Sequence, residues 1–293
     1  MQAELPGYET IDRQIELFLE EHTFDDRWLM IQTFLMAESR RAIVDALPIA
    51  PASKILDIGT GFGTLPLEIA SKWGVEIDGL DSDPSKVDIA DKLKRRIGAV
   101  VRMPGIVRFT HGDAYQLPYK DGCFDLVVAW HLYQHLQEPD TATKEIFRVL
   151  RPGGFVCLID ADDQLVLTYP DPLPERQLLT SAFHQLQSRR GGDRFVGRKL
   201  STYLQNAGFE NINAVVRMDT HHGQYRTTDV NHRMLLEHFS LEREAIISNG
   251  IMSEQAFSEC MRVLSEPKSL GYRFTSNGLF VALASRPAAP PDN

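Results

Sequence analysis

Two sets of side chains in this sequence have the types and spacing to do chemistry. The first is Gly59-Thr60-Gly61-Phe62-Gly63, which follows the apolar run Ile55-Leu56-Asp57-Ile58 and opens a helix-like stretch at Thr64. Glycines at alternate positions let a backbone turn sharply and approach a ligand that a Cβ would block, so this strand, turn and helix start predict a nucleotide-binding turn. Two acids extend it. Asp81 ends a second strand-like run about twenty residues on, where a ribose diol is usually held, and Asp113 follows a third, placed to accept from an exocyclic adenine amine. The second set is His131, Tyr133 and His135, directly after the apolar run Phe124–Trp130. Imidazole, with an unperturbed pKa of about 6.5, can exchange a proton near neutral pH. The predicted chemistry is therefore the holding of a nucleotide-like ligand beside a group that moves a proton.

The spacing of the glycines narrows the ligand. A dinucleotide fingerprint, Gly-x-Gly-x-x-Gly/Ala, needs a small residue at position 64, which is threonine here, and a phosphate loop needs a Gly-Lys-Ser/Thr that is absent. From 52 to 160 strand-like and helix-like patterns alternate, which predicts a parallel sheet wound on both faces with its ligands beyond the carboxyl ends of the strands.

Five ordered segments carry a family likeness: Ile55-Leu56-Asp57-Ile58-Gly59-Thr60-Gly61-Phe62-Gly63, Gly79-Leu80-Asp81-Ser82-Asp83-Pro84, Gly112-Asp113-Ala114 with Leu117-Pro118, Phe124-Asp125-Leu126-Val127, and Arg148-Val149-Leu150-Arg151-Pro152-Gly153-Gly154. With these the chain resembles the class I S-adenosylmethionine-dependent methyltransferases, in particular the ubiquinone/menaquinone-biosynthesis-like small-molecule group. The resemblance implies an α/β fold with a doubly wound, mostly parallel, Rossmann-like sheet of seven strands. It also implies S-adenosylmethionine held by Asp57, Gly59, Thr60, Gly61, Gly63, Asp81, Ser82, Gly112, Asp113 and Ala114. Trp130 either packs on that cofactor or simply ends a buried strand. Methyl transfer from a sulfonium is a direct displacement helped by alignment, water exclusion and deprotonation of the acceptor, whether oxygen, nitrogen or activated carbon. His131 is the better candidate base, with a loop-shaping role as the alternative. His135 matches a family histidine that serves the loop or the cofactor, and Tyr133 completes the catalytic candidates. Two other readings stay open: a cyclase-like enzyme or a ligand sensor that binds the sulfonium without spending its methyl group. A nicotinamide oxidoreductase is disfavoured by Thr64 and by Gly112-Asp113-Ala114.

The 293 residues are 43% hydrophobic and 24% charged, which suits a globular domain with additions. A net charge of -9 disfavours nucleic acid as a partner, and the basic run at 92–96 is expected to be a solvated helix face. Three scattered cysteines argue against a disulfide framework or a zinc knuckle. The start lacks a signal-peptide pattern and no apolar stretch is long enough to span a bilayer, so the expectation is a cytoplasmic protein acting on a small-molecule acceptor, with a homodimer left open.

Around the core the sequence predicts an N-terminal helical lid over 1–50, with helical patterns at 10–19 and 27–47 and with Tyr8, Arg27 and Gln32 as lid contacts. The core is expected over 51–218. A helical cap at 219–276 is expected to cover the acceptor or serve as an oligomer surface, followed by a last strand in 277–286 and a disordered tail at 287–293. Asp160, Asp162 and Asp163 are expected to cap a loop or meet a polar substrate rather than bind a metal. His221, His222, His232 and His238 are expected on the solvated surface of the cap, with one of them, Tyr225 or Arg226 as alternative pocket residues.

Overall fold

The computed structural model describes residues 8–24, 26–170, 173–226, 230–266 and 269–288. Three helices lead: α1 (Tyr8–Glu21), α2 (Arg27–Leu35) and α3 (Ala37–Asp45). In α1 the apolar residues at helical spacing, Ile11, Ile15, Phe18 and Leu19, are the buried ones. The second helical pattern breaks in two at Met36, whose φ of -102° and ψ of 7° leave the helical region.

An alternation of strands and helices follows: β1 (Lys54–Ile58), α4 (Thr64–Lys72), β2 (Glu76–Asp81), α5 (Pro84–Val100), β3 (Ile106–His111), β4 (Phe124–Trp130), α6 (Pro139–Val149) and β5 (Leu150–Tyr169). The chain then runs through α7 (Pro174–Arg189), α8 (Leu200–Asn206), β6 (Glu210–Arg226), α9 (Val230–Ser248), α10 (Glu254–Ser265) and β7 (Ser269–Ser285). One seven-stranded sheet results, in the order β3-β2-β1-β4-β5-β7-β6. The first five strands in that order are parallel, and β7 is antiparallel to both of its neighbours. This is the doubly wound, mostly parallel architecture expected from the sequence. The central strands have almost no exposed residue because two separate apolar clusters cover the two sheet faces, so β1 and β4 read as mainly apolar runs, each interrupted by one aspartate.

The N-terminal helices are fastened to this core by charge. Glu68 of α4, fully buried, accepts from Arg40 Nε at 2.7 Å and Arg40 Nη2 at 2.8 Å, and from Arg41 Nε at 2.9 Å. The basic run on α5 is only partly the solvated face expected of it: Arg96 grips Glu21 of α1 at 2.6 and 3.0 Å. Among the described residues no helix is long and apolar enough to cross a membrane.

The region expected as an insertion at 219–276 is built differently at its ends. β6 runs on to Arg226 and β7 begins at Ser269, so both flanks of the insertion are strand. Residues 166–169 of β5 rejoin β7 after a bulge, and the three strands rise as a ribbon beyond the carboxyl edge of the core. At its tip sit α9 and α10. They pack with α7, which the sequence reading left in the core, around a third apolar cluster that includes Leu179, Leu186, Phe239 and Phe257. The tail residues 289–293 and residues 1–7 lie outside the described residues, as do the side chains of Tyr225 and Arg226.

Candidate functional site

Parallel register brings the carboxyl ends of the central strands level. Ile58 pairs with Leu80 and with Ala129, and Trp130 with Ile159. The residues that follow, Gly59, Asp81, His131 and Asp160, therefore open onto one edge of the sheet.

The glycine turn needs its glycines for different reasons. Gly59, Gly61 and Gly63 have φ of 74°, 55° and 77°, in the left-handed region. A Cβ on Gly59 would stand 3.0 Å from Leu132 Cδ1, so the loop after β4 lies directly against the turn. A Cβ on Gly61 would have no protein atom within 4 Å. Gly61 is thus the point where the backbone is open to a ligand's close approach. Asp81 braces the turn, accepting from Gly61 N–H at 2.8 Å and from Asp83 N–H at 3.0 Å, which leaves its remaining lone pairs on the open side.

The other expected cofactor residues divide into rim and support. Ser82 and Asp113 are exposed, and Gly61, Gly112 and Trp130 are half-buried. Asp113 is fixed by accepting from Tyr115 N–H at 2.9 Å, and His111 Nε2 lies 3.1 Å from the Ser82 carbonyl. Asp57, Thr60, Gly63 and Ala114 are buried behind this rim. Burial pushes the Asp57 carboxyl up to about 7, a rise opposed by the Thr60 hydroxyl and reinforced by the charge of Asp81.

The three catalytic candidates separate in the same way. His131 has a φ of 54°, a strained conformation for a residue with a side chain, and its backbone N–H is held by the Ile159 carbonyl at 2.8 Å. Its Nδ1 lies 3.4 Å from Asp160 Oδ1, while its Nε2 is buried without a hydrogen-bond partner. Tyr133 is a correction. The chain makes a 3-10 turn at Tyr133–His135 that sends the phenol into the core, 1% exposed, with its oxygen 2.8 Å from Thr143 Oγ1. Burial raises the phenol far above its usual range, so it is no proton acceptor. His135 is solvent-exposed but ringed by protein atoms. That crowding lowers its imidazole pKa against an upward pull from Asp160, with Arg194, His131 and Lys86 adding to the fall.

Asp160 caps the loop after β4, one of the two roles expected of it, and it adds a contact with His131 that the sequence reading did not give. Fully buried at the point where β5 leaves the parallel sheet, it accepts from Ala161 N–H at 2.8 Å and Gln134 N–H at 3.1 Å, and it faces His131. An acid at the end of the strand neighbouring β4 was the available signal. Its former companions are engaged elsewhere: Asp162 pairs with Arg198 at 2.7 Å, and Asp163 with Arg194 at 2.8 and 2.9 Å and with His184 at 2.7 Å.

Above this edge, elements from distant parts of the chain meet. Phe24 packs edge-on to Phe62 of the glycine turn at 5.1 Å, and Asp26 pairs with Lys86 of α5 at 3.4 Å. Trp28 of α2 lies 4.5 Å from His238 of α9, which lies 4.5 Å from Phe183 of α7, and Phe183 in turn carries the Arg194 guanidinium at 5.5 Å. Burial lowers the His238 pKa, so it joins this stack as a neutral ring. Two cap histidines are therefore not surface residues as expected: His238 is in the stack, and His232 is buried with Nε2 2.7 Å from the Leu264 carbonyl. The expected lid contacts are also redistributed. Arg27 ties α2 back to the Leu19 carbonyl at 2.5 Å, and Tyr8 lies beneath Arg41 at 4.4 Å.

Parts of this chain are similar to known proteins. Residues 56–158 match a family model described as a methyltransferase domain. Ajmaline N-methyltransferase of Rauvolfia serpentina is 34% identical over 105 residues, 36% of this chain and 35% of that protein. O-methyltransferase resE of Aspergillus sclerotiorum is 28% identical over 220 residues, 75% of this chain and 73% of the relative. Among solved structures, the YcgJ protein of Bacillus subtilis aligns over 86% of this chain and 100% of its own with a TM-score of 0.57 and 18% identity, a likeness of fold. The chain spans only 33% to 44% of the length of three of the curated relatives it matches. The matched segment runs from β1 into the first half of β5 and includes the glycine turn and the His131 loop, so residues 56–158 of this chain are similar to a methyltransferase domain.

Proposed function

We propose that this protein transfers the methyl group of S-adenosylmethionine to an oxygen, nitrogen or activated carbon of a small-molecule acceptor. The observation that carries the reading is His131: a strained residue beside Leu132, which packs on the glycine turn, backed by a buried carboxylate, with a partnerless ring nitrogen. Partnerless buried polar atoms are uncommon, and a ligand proton is a natural partner. The relatives named as N- and O-methyltransferases support acceptors of those two kinds.

The open backbone at Gly61 and the braced carboxylate of Asp81 fit the cofactor, with Ser82, Gly112, Asp113 and Trp130 completing its rim. When bound, S-adenosylmethionine supplies an electrophilic methyl group. Asp160 faces Nδ1 of His131 and favours the tautomer with its proton there, which leaves the Nε2 lone pair to accept a proton from the acceptor. The stack of Trp28, His238 and Phe183 acts as a roof that excludes water, so that the acceptor is the only nucleophile in reach.

Incubation with S-adenosylmethionine and a panel of phenols, amines and activated carbon acids, read by mass spectrometry, is expected to give an acceptor heavier by one methyl group for each S-adenosylhomocysteine formed. Acceptor rearrangement without S-adenosylhomocysteine would replace this reading with a cyclase. Binding is tested separately. Asp81→Ala is expected to weaken S-adenosylhomocysteine by about 10- to 150-fold in calorimetry, since hydrogen bonds to a charged acceptor contribute about 1.5–3 kcal/mol. Because Asp81 also braces Gly61, Asp81→Asn, which keeps an oxygen for that N–H, is expected to fall between the two. An unchanged dissociation constant in both variants would remove Asp81 from the site.

A further inference from the structure

The outer edge of the sheet is unusual. β6 is the terminal strand, and among the described strands only β7 pairs with it. Its pairing is regular from Asn213 to Gln224, since the register shifts lie at either end of that stretch. Every residue from Asn213 to Met218 is exposed, on both faces of the strand, and three are large and apolar: Val215 at 48%, Val216 at 42% and Met218 at 42% exposure. A long, regular, apolar edge is a template for strand addition, and proteins ordinarily blunt it with proline, lysine, a bulge or a covering element. Between 213 and 222 the sequence Asn-Ala-Val-Val-Arg-Met-Asp-Thr-His-His contains neither proline nor lysine.

The charges on this edge select a register. Directly opposed residues in an antiparallel pair share a face, where opposite charges attract and like charges repel. If β6 meets a second copy of itself about a two-fold axis through Met218, Arg217 of each copy lies opposite the partner's Asp219, twice over. Val216 then faces the partner's Thr220. An axis through residue 217 would oppose arginine to arginine, and one through 219 aspartate to aspartate. An axis between residues is not available, because neighbours in a strand point to opposite faces and opposed residues must share one. Asp219, half-buried, stands 3.6 Å from the exposed His221 two residues along its own strand, on the same face as Arg217.

We propose that β6 is a homodimer interface: two copies join edge to edge, antiparallel about Met218, and continue the sheet from one subunit into the other. The two-fold closes this edge, because the β6 of each copy satisfies that of the other. The same strand is one rail of the ribbon that carries α9 and α10. A partner along β6 stiffens the support of the cap while lying outside the cofactor edge.

Charge exchange in the full chain tests this directly. Wild-type protein is expected to sediment as a dimer that dissociates on dilution. Arg217→Asp and Asp219→Arg each place like charges opposite one another and are expected to weaken the dimer roughly ten-fold. The double variant Arg217→Asp/Asp219→Arg restores both pairs and is expected to recover wild-type dissociation. A disulfide test reads the register independently. Met218→Cys, whose Cα meets its own copy within bonding range, is expected to give a covalent dimer under mild oxidation, whereas Val216→Cys, opposite threonine, is not. A monomeric wild type, a dimer indifferent to both single charge variants, or a double variant no better than the singles would each overturn the proposal.

Discussion

His131→Ala is expected to lower kcat for oxygen or nitrogen methylation by about 10²–10⁴-fold, the usual contribution of a positioned general base, while the dissociation constant for S-adenosylhomocysteine stays near wild type. The separation follows from the geometry. His131 touches Asp160 and the loop beside the turn, whereas the turn itself is braced by Asp81. Activity in the variant should climb with pH, because a more alkaline medium ionises the acceptor and makes the missing base less necessary. Asp160→Asn is a sharper probe of the same pair. An amide at that position no longer favours one tautomer of the ring, so kcat should fall with KM for the cofactor little changed. Wild-type kcat in His131→Ala, with chemistry rate-limiting, would return the residue to shaping the loop. His135 provides the contrast: crowding keeps its imidazole neutral at physiological pH, so His135→Ala should not reproduce the pH-dependent recovery.

Glu68→Ala is expected to cost about 3–5 kcal/mol of stability, the range for breaking a buried ion pair by removing one partner. Arg40 is 5% exposed and would keep only the Thr33 carbonyl at 2.6 Å, while Arg41 would keep Asp12. The penalty is the uncompensated guanidinium rather than the lost attraction. Thermal unfolding should move down by about 10 °C, at roughly 2–4 °C per kcal/mol for a chain of this size class. Glu68→Gln retains one carbonyl oxygen and should lose less. A change below about 1 kcal/mol in Glu68→Ala would mean that Arg40 finds water and that α3 is not pinned by this pair.

The core was legible because its determinants are local. Ile55, Leu56 and Ile58 cluster since both faces of β1 are covered, and the glycines after them are demanded by left-handed backbone at three alternate positions. The flanks of the cap were misread because residues 219–226 of β6 alternate no apolar face with a polar one; an exposed ribbon carries no period-two signal. α7 showed an apolar stripe but not its destination, and a stripe does not say which of two cores it joins. Tyr133 was taken for a site residue from its distance to the strand end. A 3-10 turn advances the side-chain direction by about 120° per residue, and that rotation carries it from the cleft into the core. The His131–Asp160 pair spans 29 residues, and only the pairing of β4 with β5 brings its members together.

The third apolar cluster has a consequence for how this fold diversifies. α7, α9 and α10 hold one another through residues that the two core clusters do not use, and they hang from a hydrogen-bonded ribbon rather than from the glycine turn. Side chains on the underside of that unit can be exchanged without disturbing Gly61 or Asp81. Under the proposed function, exchange of this unit between relatives is expected to alter acceptor choice while leaving binding of the methyl donor unchanged, because its packing is separate from that of the glycine turn.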